Sequence, residues 1–240
     1  MKQKNLHQYP LVWRKDDFFI KIYSSIPNVS TGILLTTSKT AFIVDPGDGI
    51  LRDLTKDVGP ETILRVSDIF ISHGHHDHVG GVWSLLTYWS VLRRKTPLSI
   101  YYPEGCVEIE SIYKAFNEVY GKELSYKITL KPISDQKAFT RNSVRIKPFK
   151  VNHRELNPDG TSAEIPSLGF KYYYDSKSIC YGGDTAYCEN LVKMAKGSDL
   201  AIIEAGALDE ESTDLHMTVA QAKEIGKTAK EFFLVHVPEE

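Results

Sequence analysis

Residues 72–79 read SHGHHDHV, placing four histidines and an aspartate within six positions. Imidazole nitrogens and a carboxylate are the donors that Zn, Mn and Fe accept in open catalytic sites. The run follows the apolar stretch DIFIS (68–72) and precedes an apolar helical pattern, so it falls on a turn where neighbouring side chains converge. Gly74 relieves backbone crowding between two prospective ligands. Residues of these types, packed this densely behind an apolar strand, point to metal chemistry rather than to a solvated polar turn.

The other histidines are His7, His153, His216 and His236. His7 lies in a polar N-terminal tail and reads as a surface residue. His153 ends the strand pattern SVRIKPFKV, and His236 ends FFLV. Asp184 ends SICYGGD, where Gly182 and Gly183 allow close backbone approach. Several strand ends thus deliver His or Asp, as a site at one sheet edge requires.

The His-x-His-x-Asp-His run at 73–78, with His153, Asp184 and His236, resembles the metal signature of the metallo-β-lactamase superfamily over nearly the whole chain. The resemblance implies an α/β fold, an αββα sandwich of two mixed β-sheets flanked by helices. It implies two divalent metal ions, Zn foremost with Mn or Fe as alternatives. His73, His75 and His153 would hold one, Asp77, His78 and His236 the other, with Asp184 bridging; His76 falls at a variable position. The stretches RRKTPLSIYYPEG (93–105), PSLGFKY (166–172), GGDTAYCENLVKMAKGSDLAIIEAG (182–206) and LHMTVAQAKEIGK (215–227) are similar to the tRNase Z branch. There, the residue matched by His216 is proposed to donate a proton to the leaving oxygen. Two features depart from that branch. The long arm that grips tRNA has no counterpart, since only 31 positions separate His153 from Asp184. SSIPNVSTG (24–32) stands where a Gly-rich opening is expected.

Two metals sharing a water lower its pKa from about 15.7 toward about 7. The expected reaction is hydrolysis by a metal-bridging hydroxide. The substrate is a phosphodiester, in a small molecule or a nucleic acid, with Asp77 and His216 catalytic and Glu204 orienting His216 or a ligand. The alternative within enzymes is a lactone, acyl-ester or thioester hydrolase, with Tyr187 where some lactonases of the superfamily carry a substrate-contacting tyrosine. Arg154 is a second candidate substrate contact. Two other classes stay open, a di-iron redox protein and a non-catalytic nucleic-acid-binding module. The second would use Arg93, Arg94, Lys95, Arg145, Lys147, Lys150 and Arg154.

The elements that must position these groups are legible as short apolar, β-branched runs bounded by Gly, Pro, Asp, Asn or Ser. They are 31–36, 41–45, 66–72, 98–102, 143–151, 168–174, 178–184, 200–205 and 232–237. Helical spacing runs over 79–94, 106–120, 189–196 and 218–230, the last opening on a Thr218…Gln221 capping box. Residues 152–166 read as an irregular loop. No Gly- or Ser-rich linker divides the chain, so 1–240 reads as one hydrolase domain. A net charge of -2 argues against non-specific polyanion binding. Three scattered cysteines without a Cys-x-x-Cys pair fit a reducing compartment. With no secretory h-region and no span of about 18 apolar residues, the expectation is a cytoplasmic protein with no membrane partner and a homodimer as its candidate assembly.

Overall fold

The computed structural model describes residues 9–24, 29, 31–207 and 214–238, so His7 lies outside the described residues. They form two compact units, one over Tyr9–Pro132 and one beginning at Ile133.

The first unit is built on a seven-stranded sheet whose strands lie in chain order. Strands β1 (Leu11–Lys15), β2 (Phe18–Ser24), β3 (Thr31–Thr36) and β4 (Ala41–Val44) pair antiparallel. Helices α1 (Ile50–Asp57) and α2 (Pro60–Leu64) then carry the chain to β5 (Val66–Phe70), parallel to β4. A second crossover, α3 (His76–Val79) and α4 (Val82–Val91), leads to β6 (Leu98–Pro103), again parallel. Helix α5 (Val107–Tyr120) precedes the last strand, β7 (Ile128–Ile133). Of the central strands, β4 is apolar throughout because both its faces are buried, as in other parallel sheets covered by helices, while β5 buries Val66, Ile69 and Phe70 together with Asp68. The helix expected over 79–94 is interrupted at Gly80 and Gly81 and ends at Val91. Gly81 is sterically fixed: an added Cβ would sit 2.5 Å from the Gly47 carbonyl oxygen and 2.8 Å from that of Pro46.

Arg94 corrects one element of the basic-run reading. Its guanidinium is buried and donates to the carbonyl oxygens of Thr96, Leu64, Val66 and Pro97 at 2.7, 3.2, 2.5 and 3.0 Å. The rings of Trp89 and Tyr126 lie 5.2 and 5.8 Å away. It ties the end of α2 and the start of β5 to the approach to β6, and offers no charge to a partner.

The second unit carries a six-stranded sheet. Its members are β8 (Phe139–Arg141), β9 (Val144–Lys150), β12 (Leu168–Tyr174), β13 (Lys177–Tyr181), β14 (Leu200–Glu204) and β15 (Glu231–Val235), in the order β15-β14-β13-β12-β9-β8. The last three are parallel neighbours joined through α6 (Glu189–Ala195) and α7 (Val219–Gly226). Phe149, Cys180, Leu191, Ile203, Met217 and Ile225 belong to its core. Lys171 of β12 donates to the Met194 carbonyl in the last turn of α6 at 2.7 Å, a cation where the helix dipole favours one. The capping box at Thr218 and Gln221 forms as its spacing predicts, although α7 ends at Gly226, short of the expected 230.

Residues 152–166 are not irregular. A two-stranded hairpin of β10 (Arg154–Leu156) and β11 (Ser162–Glu164) occupies them, closed by Asn157–Thr161. Its residues are half-buried or exposed on both faces, so the sequence carries no hydrophobic alternation from which to read strands. Both units combine a mixed sheet with flanking helices, in keeping with the expected α/β class. Among the described residues, no helix is long and apolar enough to cross a membrane.

Candidate metal centre

In the first unit the site is built past the ends of two neighbouring strands. Asp45 directly follows β4 in the left-handed region (φ 45°), and His73 lies three residues beyond β5. The buried Asp45 carboxylate accepts from the Ser72 amide and the Ser72 hydroxyl, both at 2.6 Å, and from His78 Nδ1 at 2.9 Å. Because the Ser72 proton goes to Asp45, the contact of Ser72 Oγ with His73 Nδ1 at 3.0 Å needs the imidazole as donor. Both rings therefore carry their proton on Nδ1, which leaves Nε2 as the basic nitrogen. Ring centroids of His73 lie 4.7 Å from His75 and 4.2 Å from His78. Asp77 Oδ2 is 3.2 Å from His78 Nε2, and His76 is exposed.

Glycine is required beneath this turn. A Cβ on Gly47 would lie 1.9 Å from the Asp77 carbonyl oxygen and 2.5 Å from that of Thr31. At Gly74 the reason differs from the one expected: the neighbour a Cβ would meet is the Glu108 carboxylate of α5, not a second ligand.

The second unit repeats the placement. His153 and Asp184 each lie three residues beyond their strands, β9 and β13; Glu204 ends β14, and His236 follows β15 with φ 56°. His153 Nδ1 donates to the Leu215 carbonyl at 3.1 Å, which again directs Nε2 to a ligand. Asp184, His216 and His236 each offer an atom such that all lie within 4.8 Å of one another. His236 Nε2 is 3.7 Å from Asp184 Oδ2, and the His216 and His236 rings stack at 5.2 Å and 14°. Gly206 makes this possible, since a Cβ there would lie 2.9 Å from atoms of both rings.

Glu204 sits beneath His216. Its buried carboxylate accepts from the amides of Thr185 (3.1 Å), Met217 (3.1 Å) and Gly206 (2.5 Å), and lies 3.4 Å from His216 Nδ1. Burial pushes the Glu204 carboxyl up, against the pull of His216. Burial lowers the His216 imidazole, but Glu204 beside it and the charge of Asp184 outweigh this and hold its pKa above the ordinary histidine value. The two proposed substrate contacts are also in this unit. Arg154 donates to Ser162 Oγ at 2.9 Å and to its carbonyl at 2.7 Å, and lies 3.4 Å from Asp214. Tyr187 is 41% exposed, three residues past Asp184.

Sequence reasoning missed Asp45, Ser72 and Thr185. AFIVDPG holds one signal for Asp45, an apolar strand ending in Asp beside Gly, as in SICYGGD. The donor chemistry fits a divalent metal: imidazoles oriented through Nδ1 by a carboxylate, a hydroxyl or a carbonyl, together with carboxylates, suit Zn, Mn or Fe.

Residues 40–237 match the pattern of the family described as the Beta-lactamase superfamily domain. Ribonuclease Z of Methanothermobacter thermautotrophicus is 27% identical over 272 aligned residues, which cover 91% of this chain and 85% of that protein. Ribonuclease Z of Pyrococcus abyssi is also 27% identical, over 80% of this chain and 74% of its own. Among solved structures, human tRNase Z, short form, superposes with a TM-score of 0.70 at 25% identity, covering 87% of this chain and 86% of its own. The metallo-β-lactamase fold protein YhfI from Bacillus subtilis gives 0.69 at 20% identity, over 90% and 82% of the two chains, and bears on the fold alone. With four-fifths of its length matched by one family pattern and its histidines placed at strand ends, the chain belongs to the β-lactamase superfamily, in its metallo-β-lactamase fold.

Proposed function

We propose that this chain is a binuclear metal-dependent phosphodiesterase similar to ribonuclease Z. The carrying observation is the His216–Glu204 pair beside Asp184 and His236: a proton-holding imidazole set next to candidate metal ligands suits cleavage of a bond whose leaving group is an alkoxide. Following the family pattern, His73, His75 and His153 would hold one ion, Asp77, His78 and His236 the other, and Asp184 both, with Zn the leading metal. Divalent ions bound there supply Lewis acidity and a nucleophile at neutral pH. Within the chain, Asp45 and Ser72 hold the His73 and His78 imidazoles in one tautomer. Glu204 keeps a proton on His216, which passes it to the departing oxygen. Asp77 would take the proton of the attacking water.

The relatives' names, Ribonuclease Z and tRNase Z, support RNA as the substrate class. One family match spanning both compact units supports reading 1–240 as a single functional domain. Cytoplasmic placement is supported by three cysteines that are all free and buried. The proposed assembly is a homodimer, for which light scattering gives the answer directly. A lactone hydrolase is the second reading, favoured by the exposed Tyr187 three residues past Asp184.

The deciding experiment compares turnover of a bis-aryl phosphodiester, an acyl lactone and a short RNA by protein loaded in turn with Zn, Mn and Fe. Phosphodiester cleavage should lead. Faster lactone cleavage would transfer the assignment to the second reading, and a His75→Ala protein that retained turnover would contradict the metal assignment.

A further inference from the structure

We propose that Thr185 is a positioning residue whose hydroxyl fixes the loop carrying Asp184 to the strand end carrying His153, so that one side chain sets the spacing of several functional groups. This rests on the reading of the site as a metal-dependent phosphodiesterase. Thr185 is fully buried and directly follows Asp184. Its hydroxyl oxygen accepts the Asn152 amide at 3.0 Å. The single hydroxyl proton has two carbonyls in reach, Ala186 at 2.7 Å and Asn152 at 3.2 Å, and the nearer takes it. The Ala186 amide donates to the Asn152 carbonyl at 2.8 Å. Both backbone groups of Asn152, the residue before His153, are thus met by the Thr185–Ala186 pair.

The amide of Thr185 donates to Glu204 at 3.1 Å, and Glu204 also takes the Met217 amide and faces His216. From Leu215 the path returns to His153 through the bond of its carbonyl with Nδ1. These hydrogen bonds and the chain itself, through residues 215–217 and 152–153, close a circuit Asn152–Thr185–Glu204–Met217–His216–Leu215–His153, which contains His153 and His216 and adjoins Asp184 in sequence. Only the link between Asn152 and Thr185 depends on a hydroxyl. Valine matches threonine in shape and lacks that group, whereas serine keeps it and loses only a methyl. The pair of substitutions therefore separates hydrogen bonding from packing.

The test uses the full-length protein loaded with Co(II) as wild type, Thr185→Val and Thr185→Ser. It reads the visible Co(II) spectrum, Co(II) affinity by chelator competition, and kcat and KM on a bis-aryl phosphodiester. Thr185→Val should lose ~10- to 100-fold in Co(II) affinity and in kcat with an altered spectrum, while Thr185→Ser stays within about threefold of wild type. A Thr185→Val protein with wild-type spectrum and kcat overturns the proposal, as does Thr185→Ser impaired as far as Thr185→Val. Should the valine variant not fold, amide hydrogen exchange of the wild type decides: a protected Asn152 amide, the one that donates to the Thr185 hydroxyl, supports the clamp, and its solvent-like exchange overturns it. A wild type that binds Co(II) but cleaves no phosphodiester defeats the functional reading instead, and the affinity and spectral comparison still judges Thr185.

Discussion

At the scale of single residues, His73 and His78 owe their tautomer to a carboxylate that is itself fully buried. Asp45 anchors His78 directly and His73 through Ser72, so its charge defines which imidazole nitrogen is basic. Asp45→Asn would place an amide N–H₂ where only an acceptor fits, and should weaken metal affinity by ~10- to 100-fold, measured by chelator competition. Asp45 and His236 both occupy the left-handed region directly after a strand, a cost that is commonly met at functional positions. Gly206→Ala tests packing rather than charge. Its Cβ would press on atoms of both His216 and His236, and displacement of about 1 Å should lower kcat by up to ~100-fold. Steady-state kinetics alongside a melting curve would separate this from general unfolding.

At the scale of elements, the strands that surround the site were the most legible part of the chain. Central strands such as AFIV and LAIIE bury every residue, so a plain apolar run betrays them. The exposed hairpin β10–β11 has no apolar face, and helix α1, though amphipathic, is only eight residues long and buries only Ile50 and Leu54, too short a pattern to stand out. The site divides in the same way. The histidine run announces itself within six residues, whereas Asp45 and Thr185 act on partners 27 to 33 positions away, where local pattern carries nothing. Arg94 shows the converse error, a residue inside a basic run that is wholly structural. Arg94→Ala should destabilise the protein by roughly 2–4 kcal/mol in urea unfolding, because four carbonyls lose a charged donor and two rings lose packing.

At the scale of the whole molecule, metal and pH should both register in stability. A ligand bound only by the folded chain raises its melting temperature, so chelation should lower it and abolish turnover together, with both restored by Zn. In the first unit, burial raises the Asp57 carboxyl, but hydrogen bonds from Lys21 and Tyr23 more than reverse this and leave its pKa below the usual value of 3.8. A depressed carboxyl stabilises above its unfolded pKa and loses that contribution as pH falls through the folded one. Asp57→Asn should therefore melt about 1–3 °C lower near neutrality, a modest shift for a partly exposed pair, and converge with wild type below about pH 3. The hairpin β10–β11 carries a last consequence. Its tip, Gly160, turns with φ 84°, and beyond its own chain neighbours no atom lies within 4 Å of where a side chain would begin. Extra residues spliced there would enlarge the molecule on the segment that follows His153 without disturbing the bonds that hold it. The tip is thus a graft point: a loop of about ten residues inserted at Gly160 should leave Co(II) affinity unchanged, while the ranking of substrates shifts with the grafted sequence.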